Sequence, residues 1–283
     1  MNVLHVCKYY SPVTGGIQKL IRTVSENLPQ VDFRILASRP SGFGKRINHD
    51  EGDAFYTTSF GNFKSTPLSP TFPYHLRKHL RWADVVHYHL PFPVSTVSHL
   101  VNSFDDTPVV VTFHDDIVEK GPIVYPYRPV LTRFLNRSDS IIVTSPNMRD
   151  HCQQIAKFRE KVEVIPIGIK LEDADATPRE LDGRHVLFVG RLVPFKGIRY
   201  LISAMKFTDA ELTIVGDGPQ RDELERLASD ENVEQTVTFE GHVSAERLSE
   251  LYETANAFVL PSVSNSESFG IVQLEALKHG LPV

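Results

Sequence analysis

Cysteine is scarce: only Cys7 and Cys152 occur in 283 residues, with no metal-binding spacing and no disulfide framework. Both are expected as buried free thiols. No apolar run approaches the roughly 20 residues that span a bilayer, and residues 1–7 read as a strand, not a leader peptide. The expected location is therefore cytoplasmic. Dense basic runs interleaved with aromatics are missing, which argues against nucleic acid as a partner. Gly-x-Gly-x-x-Gly is missing as well, so no dinucleotide cofactor is expected. Internal repeats and low-complexity tracts are also absent.

What is present is the composition of a soluble globular protein, 41% hydrophobic and 23% charged. The length allows two domains. Short apolar runs alternate with helical patterns, which argues for α/β architecture with two open parallel sheets. Strands are expected over 3–7, 33–37, 55–58, 85–89, 109–113, 140–143 and 162–165 in the first half, then 185–189, 211–215, 237–239 and 257–260 in the second. The clearest helices are expected over 16–28, 221–229, 245–254 and 270–279. The boundaries that follow are residues 1–170, a linker over 171–183, and residues 184–283. Charge divides the same way, with 20 Lys and Arg against 15 Asp and Glu in residues 1–170 and 10 against 20 in residues 171–283. A basic first half suits an anionic membrane surface or phosphorylated lipid, and it also suits chance. Residues 73–82 add a helix with Leu76 and Leu80 on one face and a dense basic face, which points to peripheral membrane contact as a possible use.

The segment Glu267-Ser268-Phe269-Gly270-Ile271-Val272-Gln273-Leu274-Glu275 sets two carboxylates around a glycine that opens a helix. Amides at a helix N-terminus attract an anion. The two carboxylates accept hydrogen bonds from polyols, and Glu275 lies roughly 7 Å up the axis from Gly270. A diphosphate carrying a sugar at each end fits that arrangement. Gly190-Arg191-Leu192-Val193-Pro194-Phe195-Lys196-Gly197 adds two cations on a glycine-bounded loop, suited to a diphosphate leaving group whose charge grows as its bond breaks. Gly15 and Gly16 after the first strand allow close backbone approach. His114 follows the run 109–113, at the strand end where open α/β sheets bind ligands, and Asp115 and Asp116 follow it. His87 and His89 share one strand face, but the trailing Asp-His of a binuclear metal motif is missing, so no metal site is expected there. Pro219 is expected to begin a helix after Gly216-Asp217-Gly218.

In this order along the chain, Gly15-Gly16, His114-Asp115, Gly190-Arg191-Leu192 with Lys196-Gly197, Gly216-Asp217-Gly218-Pro219, Pro261-Ser262 and the E-x7-E segment resemble the retaining GT-B glycosyltransferases of family 4. The resemblance implies two Rossmann-like doubly wound parallel-sheet domains facing a cleft, an acceptor-side domain over 1–170 and a nucleotide-sugar domain over 184–283. It implies transfer of a hexose from a nucleoside diphosphate sugar to a hydroxyl of a glycan or lipid-linked acceptor. It assigns His114 and Glu267 to the transferred sugar, Glu275 to the ribose, and Arg191 and Lys196 to the diphosphate. The amides of Gly15, Gly16, Gly190, Phe269, Gly270 and Ile271 are placed near donor phosphate or sugar, and the backbone at Val243 beside the base. The single Asp-x-Asp, Asp173-Ala174-Asp175, falls in the linker, so a metal-independent reaction is expected. In the family the second domain runs on past Val283, so the chain is expected to be a fragment, and turnover by the fragment itself is left open. Two alternatives stand beside transfer: a GT-B nucleotide-sugar epimerase, and a donor-binding fragment without turnover.

Overall fold

A computed structural model describes the chain except for residues 14, 51, 64–65, 103–106, 115–125, 170–182, 265–266 and 268. Asp115, Asp116, the Asp-x-Asp and all of the expected linker but Gly183 lie outside the described residues. Two compact units make up the chain, Met1–Ile167 and Gly168–Val283.

The first unit is built on an eight-stranded sheet in the order β10 (Val162–Val164), β9 (Ser140–Val143), β8, β7, β1, β2, β4 and β3. Its central strands, β1 (Asn2–Cys7), β7 (Val85–Leu90) and β8 (Val109–Phe113), are buried almost throughout. They read as near-continuous apolar runs because parallel sheets are covered on both faces. One face packs Leu4, Val6, Val86, Tyr88, Val111 and Phe113 against Phe72, Leu76 and Leu80 of α2 (Phe72–Leu80) and Phe134 of α4 (Arg128–Arg137). The other face carries Cys7, Ile35, Ala37 and Ala54 under Ile21 of α1 (Gly16–Glu26). Chain order runs outward from β1 through β2 (Asp32–Ser38) and β4 (Gly52–Thr57), then resumes on the other side at β7. The sheet therefore reverses direction between β1 and β7.

Several expectations need correction in this unit. The sheet is not wholly parallel, because β3 (Lys45–His49) pairs antiparallel with β4. The polar sequence Lys-Arg-Ile-Asn-His of β3 carries no strong strand signal and suits an exposed edge. Leu76 and Leu80 of α2 are buried in the unit's own core, and so is His79 from the supposed basic face. Those two leucines are therefore not available to lipid. Helix α1 stops at Glu26 instead of running to residue 28. Cys7 and Cys152 are buried free thiols, as expected.

The second unit has a four-stranded parallel sheet in the order β13-β12-β11-β14. Its strands are β11 (His185–Val189), β12 (Glu211–Val215), β13 (Val237–Gly241) and β14 (Ala257–Phe258). Helices α6 (Ile198–Ala204) and α7 (Arg221–Asp230) pack on one face through Leu201, Ile202 and Leu224. Helices α8 (Ala245–Thr254) and α9 (Ile271–Lys278) pack on the other through Leu251, Tyr252 and Ala276. Chain order moves from β11 out to β13 and then jumps back to β14, so the switch point lies between β11 and β14. The proline at 219 does not start α7; Gln220 is its N-cap and the helix begins at Arg221.

Candidate functional site

Ligands of open α/β sheets bind beyond the carboxyl ends of the strands, where strand order reverses. In the second unit the loop after β11 carries Gly190, Arg191 and Lys196, and the segment after β14 carries Ser262, Glu267, Phe269 and Gly270. Side chains from the two segments meet there. The Lys196 ammonium donates to the Glu267 carboxylate across 71 positions of sequence. Ser262 Oγ donates to the same oxygen, Oε2, at 3.1 Å. Lys196 keeps 12% and Glu267 19% of their side-chain surface, so the pair is partly dried but reachable. Arg191, two residues past the end of β11, is instead exposed.

Glycines make this closeness possible. Gly197 has φ 68°, and a Cβ there would stand 2.0 Å from the Pro261 carbonyl oxygen. The loops are also tied by Val263 N–H donating to Phe195 O at 2.8 Å. Gly216 has φ 121°, and a Cβ there would meet Gly190 O at 2.1 Å. Leu192 N–H donates to Asp217 O at 3.0 Å, which locks the loop after β12 onto the loop after β11. Gly216 N–H donates in turn to Gly241 O at 2.7 Å, so the turn before Val243 belongs to the same frame. Val243 is half-buried beside the core of α8 and α9.

Gly270 is the N-cap of α9 in left-handed conformation, φ 71° and ψ 55°, so the helix opens at Ile271. A left-handed cap is strained for most residues and permitted for glycine. Glu275 lies on the second turn of α9, where the Tyr252 hydroxyl donates to its Oε2 at 3.3 Å. Burial, with the Glu275 carboxylate beside it, pushes the Tyr252 phenol up, and the ring stacks on His279 at 5.2 Å. Sequence reasoning did not single out Tyr252, because an aromatic on an amphipathic helix reads as core.

In the first unit, Gly15 and Gly16 are exposed at the start of α1 and His114 is buried directly after β8. Gly15 has φ 171°, which is extended backbone open to any residue. His114 N–H donates to Leu90 O at 2.9 Å, which continues the β7–β8 pairing past the strand end. Its imidazole Nε2 hydrogen-bonds His89 Nδ1 at 2.9 Å, and His89 Nε2 hydrogen-bonds His5 Nδ1 at 3.0 Å. His87 stands beside them with Nε2 2.7 Å from Thr112 Oγ1. One nitrogen from each of His5, His87 and His89 lies within 4.8 Å of the others. The group is all-imidazole, and burial alone pushes His87 down to about 4. Burial with a minor push from His87 takes His114 down to about 3. His5 was not foreseen; only the register of β1 against β7, His5 beside His87, reveals it.

Comparison with known proteins gives consistent results. Residues 14–173 match the profile described as Glycosyltransferase Family 4, and residues 170–283 match Glycosyl transferases group 1. The chain is 31% identical to O-antigen chain mannosyltransferase C of Escherichia coli, covering 100% of this chain and 78% of that protein. It is 32% identical to D-rhamnosyltransferase WbpZ of Pseudomonas aeruginosa, over 100% of this chain and 77% of the relative. Among solved structures, Anabaena Alr3699/HepE in complex with UDP-glucose superposes with a TM-score of 0.75 at 19% identity, covering 100% of this chain and 79% of that one.

Proposed function

The chain belongs to the family 4 glycosyltransferases of GT-B fold, and from that premise we propose a retaining, metal-independent hexosyltransferase that uses a nucleoside diphosphate sugar. Its acceptor is a hydroxyl of a glycan or lipid-linked glycan, and its place of work is the cytoplasm. The mannosyl- and rhamnosyltransferase relatives favour a mannose- or rhamnose-type sugar on a glycan chain. The observation that carries the reading is the meeting of Lys196, Glu267 and Ser262 at the β11/β14 switch point. A lysine and a carboxylate in one partly dried place, on a segment that leads into the N-terminus of α9, suit a diphosphate with a hydroxylated ring attached.

The roles follow from charge. As the bond from sugar C1 to the phosphate oxygen breaks, its electron pair stays on the phosphate, and Lys196 and Arg191 stabilise that growing charge. Amides at Gly16, Gly190, Phe269, Gly270 and Ile271 serve the phosphates and sugar. His114 and Glu267 hold the hexose by hydrogen bonds, Glu275 holds the ribose, and the backbone near Val243 lies against the base. The acceptor oxygen bonds to C1 on the face the phosphate leaves, and its proton passes to the departing phosphate. Configuration is retained and no protein base is consumed. The cations take the part that a divalent ion would otherwise play at the diphosphate.

The test is a screen of UDP-, GDP- and ADP-hexoses with oligosaccharide and lipid-linked acceptors. Acceptor-dependent release of nucleoside diphosphate and a product of unchanged anomeric configuration by NMR are expected, undiminished by EDTA. An inverted product or an EDTA-abolished rate overturns the mechanism. Donor consumption without a glycosylated product points to epimerisation instead.

A further inference from the structure

Three imidazoles of the first unit take no part in the transfer proposed above. Strands β1 and β7 are adjacent and parallel with His5 opposite His87, and alternation along β7 sets His89 on the same face. Their ring centres stand 5.1 Å (His5–His87), 5.1 Å (His5–His89) and 4.4 Å (His87–His89) apart. One nitrogen from each lies within 4.8 Å of the others. His5 and His89 are buried and His87 is half-buried, so the group is enclosed yet reachable from the side of His87.

Hydrogen bonding alone partners these rings incompletely. His5 Nδ1 lies 3.0 Å from His89 Nε2, so one proton serves two nitrogens, and His5 Nε2 is buried without a hydrogen-bond partner. Outside the group, His87 Nε2 lies 2.7 Å from Thr112 Oγ1 and His89 Nδ1 lies 2.9 Å from His114 Nε2. Each of these two rings is thus anchored through one nitrogen and keeps the other for a ligand, the arrangement usual for histidines that hold a metal. The spacing suits an ion as well. Nitrogens at 2.0–2.1 Å from a tetrahedral ion stand roughly 3.4 Å apart, which puts their ring centres roughly 5 Å apart. The 3.0 Å edge between His5 and His89 and the triangle of ring centres lie close to both values, and a small turn of the His87 ring completes the set.

We infer that His5, His87 and His89 bind one divalent ion of the zinc class as a clasp between β1 and β7. Three imidazoles with no carboxylate among them select such an ion over magnesium or calcium. The ion takes the lone pairs of His5 Nδ1, His87 Nδ1 and His89 Nε2, and water fills the fourth position. Each neutral ring then carries its N–H on the far nitrogen: Nε2 of His87 toward Thr112, Nδ1 of His89 toward His114, and Nε2 of His5. The His5 N–H keeps no acceptor, a single loss set against three coordinate bonds. All three ligands lie in the first unit, whereas Arg191 and Lys196, assigned above to the diphosphate, lie in the second. The ion is therefore expected to stabilise the fold and to leave the transfer step alone.

The test uses the chain without a polyhistidine tag, stripped with EDTA, dialysed, and titrated with cobalt(II) chloride and then zinc chloride. One equivalent is expected to bind, with the intense visible absorption of four-coordinate cobalt(II), which zinc bleaches and magnesium leaves unchanged. Zinc at about 100 times its Kd should raise the unfolding midpoint by about 5–10 °C. His5→Phe, which keeps an aromatic ring beside Phe33, should weaken zinc binding by more than about 100-fold, and Thr112→Val, which removes only the hydroxyl behind His87, by about tenfold. His151→Ala, at an exposed histidine, should bind zinc as the wild type does. Where a variant fails to fold, two-bond ¹H–¹⁵N spectra of the wild-type chain decide: zinc must shift His5, His87 and His89 together and leave His185, bonded to Thr213 in the second unit, in place. No cobalt absorption, a six-coordinate spectrum, or binding unchanged in His5→Phe overturns the inference. A stripped chain that stays folded but loses turnover overturns the purely stabilising role and the metal-independent mechanism, and leaves the three ligands standing.

Discussion

In the proposed mechanism, Glu275 and Lys196 divide binding from turnover by where each meets charge. The Glu275 carboxylate is set by the Tyr252 hydroxyl at 3.3 Å on the second turn of α9, far enough along the helix to serve a neutral polyol. Glu275→Ala is expected to weaken donor binding by about 1.5–3 kcal/mol, the worth of hydrogen bonds to a charged group. Isothermal titration with the donor that turns over checks this, and unchanged affinity removes Glu275 from the site. In the same proposed mechanism, Lys196 faces growing charge instead. Lys196→Ala should lower kcat about 100-fold and move KM little, as expected for a group that acts on the transition state; equal rates in single-turnover assays would remove it from the mechanism. Its ground-state partner Glu267 gives a second effect: without the ammonium, that carboxylate loses its ion pair and keeps Ser262.

At the scale of elements, the site depends on how closely loops after neighbouring strands can approach. Gly197 and Gly280 share nearly the same backbone, φ 68° and 69°, but differ in surroundings. A Cβ at Gly197 meets the Pro261 carbonyl oxygen at 2.0 Å, and a Cβ at Gly280 meets nothing within 4 Å. Gly280→Ala should therefore cost only the left-handed backbone term, roughly 1–2 kcal/mol. Gly197→Ala should cost more, because the segment after β14 must also move, and it should reduce donor affinity with it. Thermal melts of the two variants compare these directly; equal losses would mean the close approach contributes nothing. The elements themselves were legible where apolar runs were long. All of the expected strands form within a few residues of the expected bounds, whereas β3 and the helices α3 (Pro93–Val101) and α4 were not singled out. Helix α3 is rich in Ser and Thr and α4 in arginine, so neither presents a clean apolar period.

For the chain as a whole, acid stability is set by imidazoles folded in their neutral form. Burial depresses His79 and His87 to about 4 and His114 to about 3, with Arg34 adding to the effect at His79. Their unfolded values lie near 6.5. Groups with a depressed folded value bind more protons when unfolded, so their contribution is complete above pH about 6.5 and is lost progressively as pH falls toward those folded values. The unfolding midpoint should therefore drop steeply between pH about 6.5 and 4. His87→Phe should flatten that slope, and circular-dichroism melts across the range check it; a flat profile in the wild type contradicts the neutral cluster.

The sequence by itself determined the strand order in time, the α/β class, the two-part organisation of its motifs and the residue types gathered for a phosphorylated sugar. Those are written in local pattern: apolar runs, glycines at strand ends and carboxylates at fixed spacing. Only the tertiary structure decided that Lys196 lies on Glu267, that Tyr252 holds Glu275 and that α2 turns its leucines inward. It also decided that His5 completes a line leading to His114. These depend on which strands become neighbours and in what register, and parallel pairing joins segments whose separation along the chain carries no local signal.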